Sequence, residues 1–296
     1  MDWKRIAFLA AGIAAAFGMA GAATEAEVAQ RNPLPFRATF LVSLYPAWGK
    51  PTDADRDLER KLAATLEEHL RPLLIHPPYH RVSAVCAADQ ESARQVVVDG
   101  RASIVECDPR LFLSAEARAS QATAPYTVIL QRTGDRPRGA ALLTLASARI
   151  DSPRKLKNNI IGVLSAGTSY TSAGERLLRA AGLTADRDYW LLRCGYVENA
   201  FLHLRTGLVD AVLVSEQMTK EYLQSSPMPG IHTVDSSEAC LQPLFAARTE
   251  DLDKHSGLIW AAAGALRDCF GPENLVPSQP GFYVSPSRET TAGKRP

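Results

Sequence analysis

Two hydrophobic periods take turns along this chain. Short apolar runs bounded by turn residues, Ala38–Leu44, Val82–Cys86, Ala102–Glu106, Tyr126–Gln131 and Ala140–Leu145, predict buried strands. Between the first two, Leu58, Leu62, Leu66 and Leu70 recur every four residues from Asp53 onward, with charged residues opposite, and predict one face of an amphipathic helix. Gln90–Val98 predicts a second helix. The other half repeats the plan as strand Ile160–Leu164, helix Ser172–Ala181, strand Tyr189–Arg193, helix Val197–Thr206 and strand Ala211–Val214. This alternation predicts an α/β fold of parallel sheets with helices on both faces. Gly100 and Gly207 each end a helix just before a strand, an internal echo that supports two equivalent lobes. From Thr249 through a Trp260–Leu266 helix, the chain has no strand partner in the second half and is read as returning to the first lobe. One lobe is therefore expected over residues 33–138 with 240–284 and the other over 139–239, followed by a disordered tail at 285–296.

Composition narrows the setting. Lys4 and Arg5, an apolar stretch Ile6–Phe17 and the small residues Ala20-Gly21-Ala22 read as a cleavable export signal over residues 1–22, with an uncleaved anchor as the alternative. No Cys follows the small residues, which argues against a lipid anchor, so a periplasmic protein is expected. Removal of the leader leaves 31 basic against 31 acidic residues, and this balance argues against nucleic-acid binding and against a polybasic membrane surface. About 270 mature residues sit near the size at which one core stops growing, so two lobes are more natural than one. The five cysteines, Cys86, Cys107, Cys194, Cys240 and Cys269, show no metal-site spacing. In a 2-1-3 strand order Cys86 and Cys107 lie about 10 Å apart, too far to bridge. Cys240 with Cys269 is the disulfide to test first.

Candidate chemistry collects where strands end, because ligands of open α/β sheets sit beyond the carboxyl ends of the strands. Those ends lead to Tyr45–Trp48, Cys107-Asp108-Pro109-Arg110, Ser165–Thr171, Gly195-Tyr196-Val197-Glu198 and Ser215-Glu216. In Ser165-Ala166-Gly167-Thr168-Ser169-Tyr170-Thr171-Ser172, hydroxyls crowd the start of a helix, where free N–H groups and the macrodipole favour an oxyanion. Ordinary capping is the competing reading, since Ser172-Ala173-Gly174-Glu175 fits a capping box. Tyr45 and Trp48 either close over a ligand or pack against the Leu58–Leu70 helix. Glu198 and Glu216 either read a cationic group or favour a helix N-terminus. Asp210 precedes its strand and is assigned a structural role. His76 and His80 flank two prolines that forbid a zinc-binding helix. Ser165 lacks a nucleophile elbow and a readable base. No metal, cofactor or catalytic residue is implied, and an exported enzyme using Ser165 ranks last.

Several stretches are similar to the phosphate/phosphite/phosphonate-binding proteins of ABC importers: Asp151–Lys157, Ile160–Tyr170, Ala180-Ala181-Gly182-Leu183, Asn199-Ala200 and Gly207–Ala211. The resemblance spans residues 38–270 and implies a two-lobed type 2 periplasmic-binding fold, each lobe a mostly parallel sheet flanked by helices. It implies capture of a small oxyanion or organic anion in an inter-lobe cleft, closure about a hinge and delivery to a membrane permease. A sensory or accessory module of the same fold is the alternative. That family's Ser-Thr-Ser-Gly loop corresponds to Gly167-Thr168-Ser169-Tyr170, so Thr168 and Ser169 match and the final Gly does not. Cys107 with Phe112 stands where a Tyr is usual, Tyr196 where a His is, and Gly139 beside Arg138 where another Tyr is; Arg110 and Arg138 could compensate. The expected ligand-contacting set is Tyr45, Trp48, Cys107, Asp108, Thr168, Ser169, Tyr170, Thr171, Tyr196, Glu198, Ser215 and Glu216.

Overall fold

The computed structural model describes residues 39–74, 79, 81–116, 126–133, 139–165, 167–237, 240 and 242–278. The leader, His76, His80, Arg138 and the 285–296 tail lie outside the described residues. In chain order the strands are β1 (Thr39–Leu44), β2 (Arg81–Cys86), β3 (Ile104–Cys107), β4 (Tyr126–Arg132), β5 (Ala140–Leu145), β6 (Asn159–Val163), β7 (Tyr189–Arg193), β8 (Ala211–Ser215), β9 (Ile231–Ser236), β10 (Leu244–Arg248) and β11 (Leu275–Pro277). The α-helices are α1 (Asp53–Leu70), α2 (Gln90–Asp99), α3 (Pro109–Glu116), α4 (Ser169–Ala180), α5 (Val197–Thr206), α6 (Glu216–Ser225), α7 (Thr249–Lys254) and α8 (Ser256–Phe270).

Local chemistry explains where these elements start and stop. Thr52 begins α1 with a capping box: its hydroxyl accepts from Asp55 N at 3.2 Å, and the Asp55 carboxylate accepts from Thr52 N at 2.8 Å. Leu62, Leu66 and Leu70 are fully buried, as their spacing predicts. Gly100 (φ 64°) and Gly207 (φ 72°) close α2 and α5 in the left-handed conformation that glycine adopts without a Cβ penalty.

The strands form two sheets, ordered β11-β4-β10-β3-β1-β2 and β7-β6-β8-β5-β9. In the first, β1 lies parallel to β2 and β3; in the second, β6 lies parallel to β7 and β8. Both sheets are mixed, because β10 runs antiparallel between β3 and β4, and β5 antiparallel between β8 and β9. β5 and β10 are the strands that receive the chain when it passes from one sheet to the other. The carboxyl ends of β1, β3 and β6 lead into the contacts between the lobes, so a chain crossing there enters the next sheet at that end and runs back away from it. A parallel entry would need a long crossover.

Apolar side chains cover both faces of each sheet. Leu266 and Ile259 of α8 share one buried cluster with Leu62, Leu66 and Leu70 of α1 against β1 and β10, so the C-terminal segment does return to the first sheet. The Cys240–Cys269 disulfide does not form. Cys240 is buried in the cluster around β6 and α4, whereas the Cys269 thiol lies 3.4 Å from Thr65 Oγ1 on α1. Cys86 and Cys107 are also free, on strands separated by β1. Asp210 has the expected structural role, its carboxylate accepting from Ile160 N at 2.9 Å. No described helix is long and apolar enough to cross a membrane.

Candidate functional site

β6 ends at Val163, and the chain turns through Gly167 (φ 79°) into Thr168, which caps α4. Helix α4 thus starts four residues earlier than the Ser172–Glu175 capping box predicts, with Thr168 rather than Ser172 as its cap. Thr168 wins because its extended backbone (φ −71°, ψ 164°) lets Oγ1 accept from Thr171 N at 3.2 Å, leaving Ser172 inside the helix. Thr171 Oγ1 donates to the Ser165 carbonyl at 2.8 Å, and Thr168 Oγ1 to Thr171 Oγ1 at 3.0 Å. Two of the predicted binding hydroxyls are therefore spent on the loop itself. Ser169 is not: its N–H lies 3.1 Å from both carboxylate oxygens of Asp108, and its hydroxyl donates to Asp108 Oδ1 at 3.1 Å. This contact joins the lobes across 61 residues of sequence.

Asp108 is 2 % exposed at the end of β3 and the start of α3. Its Oδ1 also accepts from Arg110 N at 2.9 Å and Leu111 N at 3.2 Å, so one carboxylate caps α3 while facing the N-terminus of α4. Two helix dipoles, one from each lobe, converge on a single negative group, the arrangement that favours an anion. Burial raises the pKa of Asp108, while the hydrogen bonds from Ser169, Leu111 and Arg110 oppose the shift.

Tyr45, just past β1, is buried in the same cluster as Cys107 and Phe112, and its hydroxyl is buried with no hydrogen-bond partner among the described residues. Desolvation first, then the charge of Asp108, holds its pKa well above the usual phenol value. Beneath it Glu106, 4 % exposed, accepts from Tyr45 N at 3.1 Å and pairs with Arg132 Nε at 3.3 Å. Burial raises the Glu106 pKa against the pull of Arg132. Cys107 packs as a core thiol, pushed far up by burial.

The rim of the interface is built by the loop after β1. Trp48 does not pack on α1; it reaches the second lobe and lies against the cluster of Val197, Phe201 and Val214. Its carbonyl accepts from Val197 N at 3.3 Å. Lys50 Nζ lies 3.1 Å from Glu198 Oε1 and 4.4 Å from the Tyr196 ring centroid, so Glu198 and Tyr196 serve lobe-to-lobe contact. Gly49 (φ 88°) passes so close to Gly195 and Tyr196 that a Cβ there would strike the Gly195 carbonyl and approach Tyr196 Cα to 2.8 Å. Tyr170 is half-buried between the two clusters of the second lobe. Ser215 caps α6 by accepting from Met218 N at 3.1 Å, and exposed Glu216 gives its N–H to the Gly139 carbonyl at 3.1 Å, beside the crossing into β5. Neither takes part in the Asp108–Ser169 contact.

Three contributors escaped the sequence reading: Glu106, Gly49 and Lys50. Glu106 carried a signal, a carboxylate inside an otherwise apolar strand, but Gly49 and Lys50 carried none that separates them from an ordinary turn.

A family model described as "ABC transporter, phosphonate, periplasmic substrate-binding protein" matches residues 52–257. No curated protein sequence matches the chain. Among solved structures, PhnD1 from Prochlorococcus marinus in complex with methylphosphonate superposes with a TM-score of 0.63 at 14 % identity, covering 82 % of this chain and 94 % of that one. A binding protein component of an ABC phosphonate transporter from Pseudomonas aeruginosa gives 0.60 at 11 % identity, covering 82 % of each chain. The alkanesulfonate-binding protein SsuA from Xanthomonas axonopodis pv. citri bound to MOPS gives 0.59 at 14 % identity, covering 79 % and 73 %. At such identities these likenesses establish the fold, the two-lobed periplasmic-binding architecture.

Proposed function

Because the chain belongs to the periplasmic substrate-binding proteins of phosphonate ABC transporters, we propose that it captures a small phosphonate- or sulfonate-like oxyanion between its lobes and presents it to a membrane permease. The observation that carries this reading is the pair of donors on Ser169, N–H and hydroxyl, aimed across the lobe interface and already satisfied there by a carboxylate. A group that holds a carboxylate at a helix N-terminus has the chemistry to hold a phosphonate or sulfonate oxygen. Tyr45 supplies a further hydroxyl, without a partner among the described residues. The chain passes between the sheets twice, from β4 to β5 and from β9 to β10, and closure of one lobe on the other would accompany capture. Residues 1–22 would direct export and be removed. The family is one of binding proteins rather than enzymes, and no catalytic role is proposed.

The test is calorimetry and thermal shift of the mature chain with methylphosphonate, phosphate, sulfate and a short alkanesulfonate at up to tens of millimolar. Saturable stabilisation by at least one of them is expected, weakened about tenfold or more by Ser169→Ala, the scale of a charge-assisted hydrogen bond. No stabilisation by any of the anions would overturn the reading.

A further inference from the structure

We propose that Asp108 is a resident anion of the Ser169 cradle: it latches the two lobes in the ligand's place, and an incoming oxyanion binds by displacing it. The inference rests on the anion-site reading above and adds to it a built-in competitor.

Three observations carry it. First, the donors that would hold a ligand are engaged. Ser169 N–H and Oγ–H both end on Asp108, at 3.1 Å, in a position that is almost fully buried on both sides. Second, Asp108 has the address of a ligand. It stands between two helix N-termini from different lobes, α3 through Arg110 N and Leu111 N, and α4 through Ser169. A carboxylate offers two oxygens to this space, whereas a tetrahedral oxyanion offers a third. Third, there is a donor waiting for such a third oxygen. The Tyr45 hydroxyl is buried, has no partner among the described residues, and lies near enough to Asp108 for that charge to raise its pKa after burial itself. A buried hydroxyl left unsatisfied is costly, so a site that keeps one beside its anion cradle is incomplete with Asp108 alone.

The negative groups around the cradle work in the same direction. Asp108 and, behind Tyr45, Glu106 are both buried. A dianion entering while Asp108 keeps its place would meet a like charge in a poorly screened space, so the carboxylate must withdraw with its lobe before the ligand seats. Apparent affinity then falls by the fraction of molecules that are unlatched.

The decisive variant is Asp108→Asn. Asn caps a helix N-terminus about as well as Asp, so α3 and the fold are retained while the charge that Ser169 holds is lost. Asp108→Ala is the second variant, without either function. For wild type and both variants, small-angle X-ray scattering without ligand is paired with titration by methylphosphonate. The expected result is a wild-type chain that is compact without ligand and changes little when methylphosphonate is added. Both variants should be more extended without ligand, contract on adding it, and bind it tighter than wild type by tenfold or more. Equal radii of gyration and equal affinities in wild type and Asp108→Asn would overturn the latch, since a residue that only caps α3 would behave so. Failure of all three proteins to bind any anion would overturn the anion-site reading instead, and scattering would then decide the latch alone.

Discussion

At the scale of single residues, the interface is governed by carboxylates taken out of water. Both Glu106 and Asp108 are held above their ordinary pKa by burial, against the pull of their hydrogen bonds and, for Glu106, of Arg132. The sign of the linkage follows. Asp108 has an ordinary value of 3.8 and a higher one in the folded chain, so the folded chain takes up this proton first on acidification. Its contribution to stability is complete below the unfolded value and is lost as pH rises through the folded one. Asn at this position does not titrate. The difference in Tm, Asp108→Asn minus wild type, is therefore expected to become more positive from about pH 4 to about pH 8. A difference that stays flat with pH would contradict the burial of this charge. Asp108 was visible in the sequence as a strand-end residue; its contact with Ser169 was not, because nothing local in either segment encodes a partner 61 residues away.

At the scale of elements, α4 shows how a helix is positioned as well as started. Its first turn carries the cradle, and its buried face at Gly174 lies directly against the Leu213 side chain of β8. Replacing a helical Gly by Ala ordinarily gains up to about 1 kcal/mol of propensity. Here the added Cβ would collide with Leu213, and overpacking costs about 1–3 kcal/mol. Gly174→Ala is thus expected to lower Tm by a few degrees in thermal unfolding, reversing the usual sign; an unchanged or higher Tm would mean that Leu213 moves aside freely. The periodic elements were legible in the sequence: α1 through its leucines, α2 and α5 through their terminal glycines, and β5 and β7 to the residue. The short α3, α6, α7, β9, β10 and β11 were not predicted. α7 and β11 are too brief for a period to assert itself; α6, though as long as α2 and α5, fully buries only Met218, and β9 has no fully buried residue, so neither shows a strong apolar pattern.

At the scale of the whole molecule, two lobes joined by two passages must meet closely for the cradle and Asp108 to touch. Gly49 sets how closely. A Cβ there would run into the backbone of Gly195 and Tyr196, which cannot swing away as a side chain can. Gly49→Ala is expected to leave the separate lobes folded, at a cost of about 1–2 kcal/mol for its positive φ, but to keep them apart. Scattering should show an extended chain with or without methylphosphonate, and Trp48 fluorescence should report greater exposure. A compact Gly49→Ala chain would show that the approach is looser than the geometry requires. Lys50 with Glu198, both near half-exposed, is a weaker contributor to closure, since exposed ion pairs are worth about 0–1 kcal/mol.

The sequence by itself determined the strand–helix alternation, the two-lobed plan, the return of the C-terminal segment and the hydroxyl-rich loop, because each is written in local periodicity, turn chemistry or a contiguous motif. The tertiary structure alone decided the rest. The antiparallel entry of β5 and β10 follows from which end of a sheet the chain arrives at. The absence of the Cys240–Cys269 bridge follows from their separation on different lobes. Of the loop's hydroxyls, Ser169 rather than Thr168 or Thr171 faces outward, because capping and a bond to the Ser165 carbonyl consume the other two. The anion that meets Ser169 is supplied by the other lobe, and the packing of the two lobes brings that carboxylate to the helix N-terminus.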